Sequence, residues 1–207
     1  LLLLIYTSHY QKHQTPKNHN KTLFTFFLNL IWISIKYSLY CVIVSKIKFM
    51  PKKKKLLYIA PHLSTGGLPQ YLTKKIEFLK DEFEIYLIEW ENCTGGKLIV
   101  QRDKILNLID STKFYEFGEN KYELFNIIED ISPDIIHLEE IPEYFMEDNI
   151  AEELYSKNRN YFLVETSHDS SFDTSSKRFF PDKFMFVSNW QIDQYTNVDI
   201  PKILVEY

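Results

Sequence analysis

Short apolar segments rich in β-forming residues alternate along this chain with segments of helical periodicity. The apolar segments are predicted to be strands, at 56–60, 84–90, 113–117, 134–140, 161–167 and 183–189. Helical spacing lies between most of them, as at Leu68, Leu72, Ile76 and Leu79. This alternation is typical of βαβ units, whose parallel strands are covered by helices. The sequence therefore predicts an α/β domain with a doubly wound, mostly parallel sheet and helices on both faces.

The composition changes abruptly near residue 50. Residues 1–50 contain no Asp, Glu or Gly and six Lys, which is a formal charge of +6. Residues 51–207 carry the other 18 Lys and Arg and all 28 acidic residues, which is a formal charge of −10. We therefore expect a hydrophobic and basic N-terminal segment, 1–50, and one domain, 51–207. Binding of nucleic acid needs a positive surface, so the acidic domain argues against nucleic acid as a partner.

The segment 1–50 has two interpretations. Residues 23–44 are apolar, long enough to span a bilayer, and followed by lysines, as in a membrane anchor. Lys36 in the middle of this stretch disfavours insertion. In the second and preferred interpretation the protein starts at Met50, the first methionine, and the residues before it are translated A/T-rich DNA.

The two cysteines, Cys41 and Cys93, lie one in each part of the chain and offer neither a disulfide framework nor the spacing of a zinc site. We therefore expect a reducing, cytoplasmic location. The four lysines at 52–55 are either a solvated lead-in or a contact with anionic lipid at the inner face of a membrane.

A glycine pair lies in the loop between the first predicted strand and the helix that follows it. The stretch APHLSTGGLPQYL, residues 60–72, contains Gly66 and Gly67 just before Pro69, a residue favoured in a first helical turn. Backbone N–H groups at a helix N-terminus attract anions, and glycine lets the backbone approach a ligand closely. The stretch is neither a Walker loop nor a GxGxxG motif. An anion-binding loop and a simple turn both remain open.

Polar residues follow the later predicted strands. His137, Glu139 and Glu140 end the fourth strand, and His168 and Asp169 follow the fifth. Ligands of such sheets bind beyond the carboxyl ends of the strands. His168 is the strongest candidate for hydrogen bonding to ligand hydroxyls or for proton transfer. His137 is expected to pack inside the sheet, and Asp169 either binds a ligand or caps a turn.

Four segments resemble the N-terminal half of retaining glycosyltransferases with the GT-B fold, family 4 type. They are, in order, LLYIAPHLSTGGLPQYLTKKIEFL, SPDIIHLEEIPEYF, FLVETSHD and FMFVSNWQIDQY, and the resemblance covers about residues 55–207. It implies a Rossmann-like, acceptor-side domain, with His168 as the catalytic residue that touches the sugar. It also implies that Gly66 and Gly67 lie near the donor diphosphate and the acceptor, and that Glu139 lies in the acceptor cleft. Asp169 is a further candidate for substrate binding.

The activity implied by this resemblance is transfer of a sugar from a nucleotide-sugar donor to a glycan or a lipid-linked acceptor. The nucleotide-sugar is a co-substrate, and no metal or other cofactor is expected, because a helix dipole and basic side chains neutralise the leaving diphosphate. The resemblance does not extend to the C-terminal donor domain of the family. We therefore expect a fragment of a retaining hexosyltransferase-type enzyme that is inactive alone. The alternatives are a non-catalytic α/β module that binds a glycan or a protein, and an unrelated doubly wound domain such as a flavodoxin-like one.

Overall fold

The structure, a computed structural model, describes residues 52–91, 100–117, 120–169, 171–195 and 198–204. The described residues from Lys53 onward pack as one unit. The segment 1–50, with its apolar stretch at 23–44, lies outside the described residues. Within the described part of the chain, no helix has both the length and the apolar character needed to cross a bilayer.

The described residues contain one sheet of seven parallel strands. The strands are β1 Lys54–Ala60, β2 Phe83–Glu89, β3 Phe114–Glu116, β4 Ile135–Leu138, β5 Phe162–Ser167, β6 Lys183–Phe186 and β7 Lys202–Leu204. Their order in the sheet is β3-β2-β1-β4-β5-β6-β7, and every pairing is parallel. The first six strands thus follow the order of the Rossmann fold. The predicted fold class, a Rossmann-like, doubly wound α/β domain, is confirmed.

Helices cover both faces of this sheet. Those in the described ranges are α1 Gly67–Leu79, α2 Val100–Leu106, α3 Glu123–Ile131, α4 Asp148–Leu154 and α5 Asn189–Gln194. Apolar side chains of α1 and α2 pack against one face, and those of α3 and α4 pack against the other. Short 3-10 turns occupy Ser111–Lys113, Pro142–Tyr144 and Thr174–Ser176. The helices therefore enclose the sheet as parallel sheets require.

Alternation along β1 divides the core into two halves. Leu56, Tyr58 and Ala60 lie on the face covered by α1 and α2. Leu57 and Ile59 lie on the face covered by α3 and α4. All five side chains are buried. Because successive residues of a strand point to opposite sides, a strand buried on both sides must be apolar throughout. This requirement explains the continuous apolar run of β1.

The structure departs from the predicted elements in three places. β4 ends at Leu138, so that Glu139 and Glu140 lie just beyond the strand. α2 lies within 91–112, a stretch for which no element was predicted, and β7 follows the last predicted strand. Seven-residue and three-residue elements are too short for their hydrophobic period to be recognised. The lysine run 52–55 also belongs partly to the sheet, because β1 begins at its third lysine, Lys54.

Gly66 determines how α1 begins. It is the N-cap residue, with φ 114 and ψ −175, a backbone conformation that residues with a Cβ rarely adopt. Gly67 is the first residue of α1 and does not have a positive φ. A Cβ built on either glycine meets nothing within 4 Å. The backbone therefore requires glycine at position 66 but not at position 67.

Alanine substitutions should separate these two glycines. We expect Gly66→Ala to lower the free energy of unfolding by about 1–3 kcal/mol, because alanine is strained at this φ. Gly67→Ala is the matched control and should leave stability unchanged or raise it by about 0.4–1 kcal/mol through the unfolded state. Urea denaturation of the full chain followed by circular dichroism measures both. Equal stabilities of the two variants would contradict the assigned role of Gly66.

Candidate functional site

Polar side chains gather at the carboxyl ends of β4 and β5, on the face covered by α1. His137 of β4 and Thr166 of β5 are buried there. Glu139 and His168 follow two residues after each of them and so continue on the same side of the sheet. Lys75 of α1 reaches this group from above the sheet. We call these five residues, Lys75, His137, Glu139, Thr166 and His168, the carboxyl-edge cluster.

A buried ion pair forms the centre of the carboxyl-edge cluster. Lys75 Nζ donates a hydrogen bond to Glu139 Oε1 at 2.7 Å, with Glu139 fully buried and Lys75 10% exposed. Burial alone would raise the pKa of Glu139, but the charge of Lys75 holds it below its ordinary value. Burial lowers the pKa of Lys75, and Glu139 opposes this change. Lys75 Nζ also lies 5.2 Å from the centre of the Tyr58 ring and 4.9 Å from that of Tyr71, within the range of cation–π attraction.

His137 is a neutral histidine inside the sheet. Its Nε2 lies 2.7 Å from Thr166 Oγ1 and 3.3 Å from Lys75 Nζ. An ammonium group can only donate, so Nε2 of His137 is an acceptor and its proton is on Nδ1. Burial, together with the charge of Lys75, lowers the pKa of His137 to about 3. His137 therefore packs within the sheet, as expected from the sequence.

His168 lies at the more open end of the carboxyl-edge cluster. Its side chain is 14% exposed, and its Nε2 lies 3.6 Å from Glu139 Oε2. Its ring meets the ring of Tyr71 on α1 edge to face, with 5.5 Å between centroids. The backbone N–H of His168 donates to Glu140 Oε1 at 3.4 Å. Two consecutive glutamates after β4 thus hold His168, one at its side chain and one at its backbone.

Asp169 caps a turn of its own. Its Oδ1 accepts hydrogen bonds from the N–H and the hydroxyl of Ser171, each at 2.7 Å. Its Oδ2 accepts one from the Tyr144 hydroxyl. The Tyr144 bond, followed by those of Ser171, lowers the pKa of Asp169. Both carboxylate oxygens therefore already have partners in the protein.

Some of the site residues predicted from the sequence come together at the carboxyl-edge cluster, and one does not. His168 and Glu139 come together, and Gly66 and Gly67 begin the helix that packs on them. Asp169 lies next to His168 in sequence but is engaged in its turn. Their roles in binding a substrate stay predictions.

Sequence reasoning missed Lys75, although a signal was present. Lys75 lies seven residues after Leu68 and three after Leu72, on the apolar stripe of α1. A lysine at such a position points toward the core. The neighbouring Lys74 lies off the stripe and is exposed. The helical periodicity of this segment is therefore enough to distinguish the two lysines.

A second buried polar cluster lies on the opposite face of β5, towards α4. Glu165 Oε2 accepts hydrogen bonds from the Tyr155 hydroxyl at 2.6 Å and from Lys177 Nζ at 3.0 Å. Lys177 also donates to Glu143 Oε2 at 2.8 Å. One buried lysine therefore serves two carboxylates. Burial raises the pKa of Glu165 to about 7, and Lys177 offsets only part of this rise.

Glu89, the last residue of β2, is fully buried and engaged within the protein. In dinucleotide-binding Rossmann folds an acidic residue at about this place binds the ribose. Here Glu89 Oε1 accepts the Leu63 N–H at 2.7 Å, and Oε2 pairs with Arg102 of α2. The carboxylate is thus not presented to a ribose. Across the described ranges, no group of three or more His, Cys, Asp or Glu side chains could hold a metal ion.

Comparison with known proteins gives one structural likeness. No family model and no curated protein sequence matches this chain. It is similar to a dTDP-glucose 4,6-dehydratase (rfbB) from Bacillus anthracis str. Ames, solved in complex with NAD, at 14% identity and a TM-score of 0.36. The alignment covers 73% of this chain and 53% of the dehydratase, so this chain spans about half the length of that enzyme. The strand order, rather than this likeness, is the basis for the fold assignment.

Removing the lysine of the buried ion pair should destabilise the domain strongly. Lys75→Met leaves the charge of Glu139 buried without a partner, which costs about 3–5 kcal/mol. Lys74→Met is the matched control, because Lys74 is 81% exposed and its pair with Glu77 is a surface pair worth less than about 1 kcal/mol. Urea denaturation measures both variants. Adding Glu139→Gln to Lys75→Met should recover part of the loss, and equal stability of the two single variants would refute the role of the pair.

His137 and Glu165 should give the stability of the domain opposite pH dependences. His137 has a pKa of about 3 when folded and 6.5 ordinarily. Between these values the unfolded chain binds the extra proton, so His137 makes stability fall as the pH falls. Glu165 has a pKa of about 7 when folded and 4.5 ordinarily. Between these values the folded chain binds the extra proton, so Glu165 makes stability fall as the pH rises. Each residue changes the free energy of unfolding by at most about 1.4 kcal/mol per pH unit.

Two substitutions should reveal these opposed contributions. When the pH is lowered from about 6.5 to about 5, we expect His137→Gln to lose less stability than the wild-type protein. The variant lacks the proton that His137 takes up on unfolding. Glu165→Gln should lose less stability than the unchanged protein when the pH is raised over the same interval. Urea denaturation at several pH values supplies the slopes. Slopes that change in the same direction in both variants would contradict the assignment.

Proposed function

We propose that the domain 51–207 is the acceptor-side half of a retaining glycosyltransferase of the GT-B type. In this proposal it binds a glycan or lipid-linked acceptor at the carboxyl edge of its sheet, and His168 contacts the reacting sugar. The observation that carries the proposal is the placement of His168 at the open end of the carboxyl-edge cluster, against α1, the helix that Gly66 and Gly67 begin. The resemblance of the four sequence segments supplies the reaction class.

The support given to His168 favours ligand binding at this place. Its ring is held between Tyr71 and Glu139, and its backbone is held by Glu140. A side chain fixed in this way loses little freedom when a ligand binds, which favours affinity. The remaining exposed part of the imidazole gives a ligand access. These features fit hydrogen bonding to a sugar hydroxyl.

The start of α1 supports the proposed contact with the donor diphosphate. Gly66 provides no side-chain cap, and the first turn contains no acidic residue. The backbone N–H groups of this turn are therefore not capped by an N-cap side chain, and helix N-termini favour anions. In the proposal this charge compensation takes the place of a metal ion, and the nucleotide-sugar is the co-substrate.

The proposal also accounts for the position of the site beyond the carboxyl ends of the strands. A cavity of about 750 Å³ is lined by residues outside the carboxyl-edge cluster, among them Tyr155, Arg159 and Phe180. His168 instead lies just beyond the carboxyl end of β5, where a second domain can cover it. In two-domain transferases of the resembling type the cleft between the domains encloses the substrates. We therefore propose that catalysis requires a donor-binding domain in addition to these residues.

Glycan binding by the full chain tests the proposal. We expect weak binding of one or more sugars on a glycan array, confirmed by saturation-transfer NMR. His168→Ala should weaken that binding about tenfold, the effect of losing one hydrogen bond to the ligand. Phe78→Ala is the control, because Phe78 is 79% exposed on α1. Absence of any glycan binding would refute the proposal. Strong binding that His168→Ala leaves unchanged would favour the alternative of a non-catalytic module.

A further inference from the structure

Two buried polar atoms in the carboxyl-edge cluster face each other and have no other hydrogen-bond partner. They are Oε2 of Glu139 and Nε2 of His168. The distance between them is 3.6 Å, slightly longer than a hydrogen bond. Buried polar atoms in folded proteins nearly always have a partner. Contacts of this kind in sites without ligand are often long and shorten when a ligand binds. Each atom is therefore the natural partner of the other.

The two carboxylate oxygens of Glu139 contact different residues. Oε1 accepts the hydrogen bond from Lys75 at 2.7 Å, and Oε2 is left for His168. An ionised carboxylate can only accept hydrogen bonds. The proton between Oε2 and His168 must therefore be carried by Nε2. Neutral imidazole carries one proton, so Nδ1 of His168 then has a free lone pair.

We propose that Glu139, anchored by Lys75, is a positioning residue that fixes His168 as the Nε2–H tautomer and presents its Nδ1 to a ligand as a hydrogen-bond acceptor. The statement about the ligand depends on the function proposed above, whereas the statement about the tautomer does not. A ligand that matches this acceptor brings a hydrogen-bond donor. The substrate class is therefore a sugar with a free hydroxyl at this position, and not one in which that hydroxyl is replaced by fluorine or a methoxy group.

His137 provides an internal comparison within the same cluster. Its Nε2 lies 3.3 Å from the ammonium group of Lys75, closer than the 3.7 Å to Glu139 Oε1, and so accepts, which places its proton on Nδ1. His168 faces the carboxylate of Glu139 and so donates through Nε2. The two histidines are thus expected to be opposite tautomers, because the charged group nearest to Nε2 is an ammonium for His137 and a carboxylate for His168.

NMR of the full chain with ¹⁵N-labelled histidine tests the tautomer directly. Long-range ¹H–¹⁵N correlations at about pH 8, well above the ordinary histidine pKa, identify which ring nitrogen carries the proton. We expect the Nε2–H form for His168 and the Nδ1–H form for His137, with His168→Ala used to assign the signals. A proton on Nδ1 of His168, or an equal mixture of the two forms, would overturn the proposal.

Glu139→Gln should reverse the tautomer of His168. The amide oxygen of the new side chain would accept from Lys75, and its NH₂ group would then face Nε2 of His168. Nε2 must accept from this group, so the proton moves to Nδ1. Glu77→Gln is the matched control, because Glu77 lies on the surface of α1 and pairs with Lys74. An unchanged His168 tautomer in Glu139→Gln, with the His137 signals still those of the folded protein, would contradict the proposal. Should this variant fail to fold, the tautomer of the unchanged protein decides.

Ligand binding separates this proposal from the function on which its second part depends. For a glycan that binds, replacement of the contacted hydroxyl by fluorine should weaken binding about tenfold, because fluorine cannot donate to Nδ1. In Glu139→Gln the loss caused by fluorine should be smaller, because Nδ1–H then donates and no longer needs a donor from the ligand. The Nε2–H tautomer without any glycan binding would support the positioning role and refute the transferase proposal. Glycan binding with the Nδ1–H tautomer would support the transferase proposal and refute the positioning role.

Discussion

The ion pair between Lys75 and Glu139 is the interaction on which the rest of the carboxyl-edge cluster depends. It joins α1 to the end of β4, in a place where neither charge would be stable alone. The charge of Lys75 also contributes to keeping His137 neutral, and the second oxygen of Glu139 faces His168. The position of α1 on the sheet is therefore fixed by charge as well as by apolar contacts such as those of Leu72 and Ile76.

The two buried polar clusters show that burial alone does not determine how a carboxyl group titrates. Glu139 and Glu165 are both fully buried. Glu139 has Lys75 to itself, and its pKa is lowered, whereas Glu165 shares Lys177 with Glu143, and its pKa is raised. Glu143 contacts the same lysine but is less deeply buried, and its pKa is lowered. The balance between desolvation and the nearby cation therefore decides the direction.

Much of the fold could be predicted from the sequence, because the alternation of strands and helices reflects burial of the sheet on both faces. The positions of Glu139 and His168 at strand ends followed from the same pattern. The contact between them could not be predicted, since it depends on the pairing of β4 with β5. The contact between Lys177 and Glu165 could not be predicted for a similar reason. Lys177 lies in a loop, and in the sequence Glu165 is a single acidic residue within a strand. Sequence periodicity describes single elements, whereas these contacts depend on how the elements are arranged in space.

β5 takes part in both polar clusters through neighbouring residues. Glu165 points to the side of Lys177, and Thr166 points to the opposite side, where it meets His137. Gain or loss of a single residue within β5 would turn each of these side chains to the other face. A carboxylate would then lie beside His137, and Lys177 would lose one of its two acids. The length of this strand is thus constrained more tightly than its apolar composition, and evolutionary change in it should proceed by substitution and not by insertion or deletion.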